Sequence, residues 1–378
     1  MKARSAKGAN TRRHTVKELA GPLGGAFYFV AALRGFLRNR AGLAVLVVAL
    51  NARFLVAAQI DSGSNTENSP AFQAQRDDWQ RQLRRSADLV SDGNFAEAER
   101  TLIASVHKAE QPGSDPLWLP AALDRLAGFA RHLGRNRQAE QFYLRAVDLW
   151  QTRFGSLSLG LAMTLSDLAW VYVALGDPSR AESLWRRSIE IRTAVLGPFD
   201  PAVARVYGYL AVGSFAAHRL NDSESFCEQA LRIYERTGKL PGDTDQVLNS
   251  LASVRLRQGR ASEAVQFARE AIDLDEAATH PSPKLLSGYF YNLALAEAAT
   301  EQTAEADADF LHALSLSPDA PYTNQMLRSN ILQSYAAFLA ATGRKKEAKT
   351  VRKQEASLVK AMRQETYADD IVDVLSFH

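Results

Sequence analysis

The chain has 378 residues, 46% of them hydrophobic, with 45 Lys/Arg against 42 Asp/Glu and a formal charge of +3. This is the composition of an ordinary folded protein, and the single cysteine, Cys227, excludes an intrachain disulfide. Ten Lys/Arg and one acid lie in residues 1–58, leaving 35 basic and 41 acidic residues in 59–378, a balance that argues against a nucleic-acid partner.

Residues 1–40 are basic (Lys2, Arg4, Lys7, Arg12, Arg13, Lys17, Arg34, Arg38, Arg40), and the apolar run AGLAVLVVALNARFLVAA follows at 41–58. A positive region, an apolar stretch and small residues at Ala57-Ala58 describe a secretory signal. An uncleaved anchor is the second reading: the run is near the lower limit for a span, and Arg53 must snorkel to the interface. A membrane-surface hairpin using Ala26 to Leu33 is the third. The first two place the rest of the chain outside the cytoplasm, periplasmic or secreted, or membrane-anchored, because the positive flank stays inside.

Residues 59–75 read as a polar linker. Helices then alternate in pairs: about 76–92 with 94–109, 118–133 with 135–153, 159–175 with 178–195, 200–217 with 220–237, 242–258 with 260–276, 282–300 with 302–316, and 323–342 with 344–365. Pro and Gly punctuate the joints, as at Gly197-Pro198 and Pro241-Gly242.

The pairs are copies of one unit. A small residue recurs at Ala98, Ala139, Ala181, Ser223, Ala264, Ala306 and Ala348, with spacings of 41 or 42. Five residues before each stands Gly93, Gly134, Gly176, His218, Gly259, Glu301 or Gly343. Eight residues before that turn lies a large-small pair: Leu126-Ala127, Leu168-Ala169, Leu210-Ala211, Leu251-Ala252, Leu293-Ala294 and Tyr335-Ala336. The small residues let helices approach closely, and the turn glycine adopts a left-handed conformation cheaply. One pair cannot bury its own apolar face, so a fixed period of this length specifies stacking. The expected fold is all-α: a right-handed α-α superhelix (solenoid) of about seven helix-turn-helix repeats over 76–366, with an N-terminal apolar helix and a tail at 367–378.

At these columns, with an aromatic four residues after the marker (Tyr143, Trp185, Phe310), the chain resembles the tetratricopeptide repeat family. The period, and the segment VLGPFDPAVARVYGYLA at 195–211, resemble the longer variant of kinesin light chains. In such a stack the first helices line a concave groove. The resemblance then implies a peptide-binding face at Asp124, Arg131, Asp167, Trp170, Tyr209, Asn249, Ser253, Arg257, Tyr291 and Asn292. The kinesin-light-chain type commonly carries two asparagines before the Leu column, clamping a peptide backbone. Only Asn249, in the first place, and Asn292, in the second, match here. Amides suit the role because each donates and accepts; Trp170, Tyr209 and Tyr291 are candidate apolar anchors, and the charged residues set a charge preference along the groove.

No Walker loop, no HExxH and no paired cysteines occur, and the seven histidines are scattered. Neither a cofactor nor a metal is expected, and no catalysis. The last helix, Arg344 to Arg363, holds eight basic residues and two acids: a solvated cap, or a docking face for an acidic partner. The function expected is a non-catalytic scaffold for a protein or peptide partner at or outside the membrane, touching the membrane through 41–58 if that run is uncleaved. The alternative is a structural solenoid that self-assembles as a homo-oligomer in the cell envelope.

Overall fold

The computed structural model describes residues 70–317 and 325–369, the side chains of 70–72 and 362–369 excepted. Residues 1–58 and the final segment from 370 lie outside the described residues, so the predicted N-terminal apolar helix does too. Among the described residues there are fourteen helices and no strand: α1 Pro70–Ser91, α2 Phe95–Ala109, α3 Trp118–His132, α4 Asn136–Phe154, α5 Leu159–Leu175, α6 Pro178–Leu196, α7 Pro201–Ala216, α8 Leu220–Thr237, α9 Thr244–Arg257, α10 Ala261–Glu276, α11 Pro283–Ala299, α12 Thr303–Ser315, α13 Gln325–Ala341 and α14 Lys345–Asp369. The first helix begins at Pro70, six residues before the expected boundary, and the last runs on to Asp369. None is long and apolar enough to cross a membrane.

The described chain divides into two compact units. The first holds residues 70–217 and 228–238, the second 218–227 and 239–369. In the first unit α1 packs on α2, α3 on α4 and α5 on α6, with α2–α3, α4–α5 and α6–α7 joining the pairs. The second repeats the pattern with α9–α10, α11–α12 and α13–α14, joined by α10–α11 and α12–α13. First helices also meet first helices, α3 with α5 in one unit and α9 with α11 with α13 in the other. Each unit is therefore a two-layered stack of helix pairs, one layer built from the first helices and one from the second.

The repeated columns carry the packing. All seven marker positions are buried, Ser223 included, and so are all six large-small pairs. The turn column is left-handed throughout, its glycines running from φ 78 at Gly134 to φ 89 at Gly343. His218 (φ 60) and Glu301 (φ 64) are the only non-glycine residues with positive φ among the described residues. They keep the turn geometry where the glycine has been lost, at the steric cost any Cβ meets there. Helix starts follow the punctuation: Asp177 Oδ1 caps Arg180 N at 3.0 Å and Asp200 Oδ1 caps Ala202 N at 2.7 Å, each followed by a proline at the first helical position.

Tryptophans fill the gaps between layers. Trp185 lies so close to Gly213 that a Cβ there would stand 2.6 Å from its ring, and Gly160 is equally tight against Trp150. Cys227 is buried, in the aromatic column.

Candidate functional site

The ten residues expected on the binding face divide between the units. Asp124, Arg131, Asp167, Trp170 and Tyr209 belong to the first; Asn249, Ser253, Arg257, Tyr291 and Asn292 to the second. Each group is brought together by the side-by-side first helices of its own unit.

In the first unit an aromatic group stands beside a charged one. Trp170 on α5 meets Trp185 on α6 edge-on, with centroids 4.7 Å apart, and meets Tyr209 on α7 edge-on at 5.3 Å. Trp185 is fully enclosed and its Nε1 donates to the Ser166 carbonyl at 3.3 Å. Trp170 and Tyr209 are half-buried, leaving ring surface for a ligand.

The charged group centres on α3 and α5. Asp124 accepts from Thr164 Oγ1 at 2.9 Å and from Trp150 Nε1 at 3.2 Å. Burial pushes its carboxyl up to about 8, with the charge of Asp167 adding, so Asp124 is largely protonated at neutral pH. Burial also raises Asp167, opposed through space by Arg131, Arg192 and Arg125. Arg125 is lowered by burial to about 10, and Arg192 is lowered for the same reason; both stay charged at pH 7. Arg131 is only 6% exposed, beneath the surface rather than on it, and it bonds the Tyr143 hydroxyl.

In the second unit Asn292 Nδ2 donates to Asn249 Oδ1 at 2.8 Å and to Ser253 Oγ at 3.0 Å. Ser253 Oγ in turn donates to the Asn249 carbonyl at 3.1 Å. The two asparagines, on neighbouring first helices, thus form one amide pair. Among the described residues no hydrogen bond engages Asn249 Nδ2 or Asn292 Oδ1, which leaves one donor and one acceptor, the complement of a peptide unit. Arg257 is half-buried at the end of α9. Tyr291 departs from the expectation of an exposed anchor: it is 4% exposed, its hydroxyl is 2.9 Å from Ser334 Oγ, and its ring faces Phe310. It packs between α11 and its neighbours.

Buried acids of the second unit escaped the sequence reading. Tyr289 OH donates to Asp245 Oδ2 at 3.0 Å, and Asp275 Oδ2 accepts from Ser282 N at 2.9 Å; burial raises Asp245 to about 6 and raises Asp275. Glu297, 1% exposed, accepts from Arg269 at 2.8 Å and is paired with the Asp309 carboxyl. Burial raises Glu297 to about 7 and raises Asp309 as well, and in the protonated pair Glu297 donates to Asp309. The sequence signal was available for Glu297, an acid on the inward stripe of α11 four residues after Leu293. No cluster of three metal-ligating side chains occurs among the described residues.

Stacked helix pairs with a polar-aromatic face on the first helices define a helical-repeat fold, of a kind that generally serves as a non-catalytic scaffold for protein partners. Tetratricopeptide repeat models match residues 118–194, 202–277 and 287–320. The chain belongs to the tetratricopeptide repeat family, and its repeats recur every 41–42 residues. Among solved structures it is similar to the apo form of RapI (TM-score 0.59, 10% identity, covering 76% of this chain and 99% of that one). It is also similar to a tetratricopeptide repeat protein from Parabacteroides merdae (0.50, 16%, 76% and 96%) and to a putative kinesin light chain from Podosopora anserina (0.45, 20%, 53% and 96%). No curated protein matches the sequence.

Proposed function

We propose that this protein is a non-catalytic scaffold that holds an extended peptide segment of a partner protein along its first helices. The observation that carries the reading is the Asn249–Asn292 pair, joined at 2.8 Å with one amide donor and one acceptor left over. The half-buried rings of Trp170 and Tyr209 support it as apolar anchors in the first unit. Each group lies on the first helices of its own unit.

The proposal extends to place. The basic region 1–40 followed by the apolar run 41–58 supports export or anchoring, with the repeats beyond the cytoplasmic face. Self-assembly is the second reading, and the exposed Lys345, Lys346, Lys349, Arg352, Lys353 and Lys360 of α14 favour it.

Affinity capture of the full chain from intact cells tests the groove. The double variant Asn249→Ala with Trp170→Ala is expected to lose at least about tenfold of its captured partner, the size of two modest contacts. Undiminished capture would remove the groove from the account. Protease added outside intact cells should cut the repeats; full protection would overturn the proposed location. Light scattering that finds a dimer dissolved by Lys349→Glu with Lys353→Glu, with capture unchanged, would favour self-assembly instead.

A further inference from the structure

The two faces of α14 differ in kind. Ala348 is buried, and Val351, Leu358 and Val359 are half-buried, on the side that packs on α13. At 3.6 residues per turn, Lys345, Lys346, Lys349, Arg352, Lys353 and Lys360 fall on one arc of the other side, about 120° wide and about 22 Å long. All six are exposed, and Ala356 is the one other residue between 345 and 360 on that arc.

On other helices exposed arginines are paired along their own helix: Arg137 with Glu140, Arg186 with Glu182, Arg187 with Glu190. Arg344, just before α14, bonds Asp307 and Glu347. None of the six stripe residues has a side-chain ion pair or hydrogen bond among the described residues. Lys345, Lys349 and Lys353 instead stand four apart, so like charges repel along the helix. A solvated cap needs only polar side chains; an unbroken row of unpaired cations, held against its own repulsion, fits an anionic surface outside the chain. The neighbouring second helices are acidic: α10 carries five acids and one arginine, α12 three acids and no Lys or Arg. An anionic surface therefore repels these helices and draws α14 towards itself.

Five of the six are lysines, hydrated point charges rather than the flat forks that grip one carboxylate or phosphate. No aromatic or amide side chain lies on the arc to stack on a base or read its edge. An array of phospholipid headgroups asks for neither. We propose that this stripe of α14 lies on an anionic bilayer surface, held by headgroup charge without insertion of the helix. The apolar run 41–58, behind the nine cations of residues 1–40, is a second stretch of membrane chemistry in the same chain, and stable attachment takes two weak signals together. The inference is independent of the peptide groove and holds whether or not the first helices grip a partner.

The full chain is sedimented with vesicles of equal parts phosphatidylglycerol and phosphatidylcholine, or of phosphatidylcholine alone. It should bind the anionic vesicles at least about tenfold better, with the gap closing as salt rises. Lys349→Glu with Lys353→Glu should cut that preference by about tenfold; an undiminished preference would overturn the proposal and assign the binding to residues 1–40. A fluorophore on Ala356→Cys, in the stripe, should be quenched by lipid with a nitroxide headgroup in the anionic vesicles, and one on Gln266→Cys, exposed on α10, should not. This readout leaves the charges in place, so it decides the matter even if the double reversal does not fold. Equal quenching at both positions, or none at 356, would overturn the proposal. Retention of duplex DNA in place of anionic vesicles, lost on charge reversal, would assign the stripe to nucleic acid. A dimer dissolved by the reversal with vesicle binding intact would assign it to a second copy. Either result overturns the lipid surface.

Discussion

Trp185→Ala should destabilise the first unit by about 3–5 kcal/mol, the cost of emptying a large aromatic from a closed core. Trp185 is fully enclosed and pressed against Gly213, whose missing Cβ leaves the indole its room. Its removal also deprives the Ser166 carbonyl of a donor and takes away the ring against which Trp170 rests. Chemical denaturation followed by circular dichroism measures the loss. Trp185→Phe should cost less, about 1–2 kcal/mol, because it keeps most of the packing and forfeits the hydrogen bond. A loss below 1 kcal/mol for alanine would mean that the column of enclosed residues does not hold the stack.

The second large effect concerns pH. Asp124 and Asp245, raised to about 8 and about 6, and Glu297, also raised, bind protons more tightly in the fold than in the unfolded chain. A raised carboxyl contributes stability that is complete below the unfolded value near 4 and lost as pH rises through the folded one. Stability should therefore decline between about pH 5 and pH 8.5, by roughly 2–4 kcal/mol in sum, the reverse of a protein held by ionised carboxylates. Glu297→Gln separates one contributor. The glutamine carbonyl still accepts from Arg269, and its amide donates to Asp309 as the protonated acid did. That variant should gain about 1–2 kcal/mol at pH 8.5 and little at pH 4.5. Melting temperature against pH for the two chains gives the answer; parallel curves would contradict it.

Most of the fold could be read from one period. The marker alanines, the turn residues and the Leu-Ala pairs fall in register because each does the same steric job in every unit, and local sterics leave a local trace. His218 and Glu301 were placed in the turn column by spacing alone, and both have positive φ. What the sequence hides is what neighbouring pairs do to one another. Asp124 and Thr164 are separated by 40 positions, and Asn249 and Asn292 by 43. Nothing local says whether a polar side chain on a first helix faces solvent or a partner one repeat away. Tyr209 stands one residue before the Leu column and Tyr291 two, and both were expected on the groove, yet Tyr291 is buried against Phe310 and Ser334 while Tyr209 is half-buried. Arg131 shows the same limit: the spacing put it on the groove, and the packing around Tyr143 put it beneath.

Photo-cross-linking in living cells tests the grip on the first helices most directly. A benzophenone amino acid is placed either at Asn249, half-buried on α9, or at Gln266, exposed on α10. A partner adduct that forms from position 249 and is weak or missing from position 266 is the predicted result. An adduct that forms equally from both, or from 266 alone, would mean that partners dock on the second helices and that the polar face of the first helices only holds the stack together.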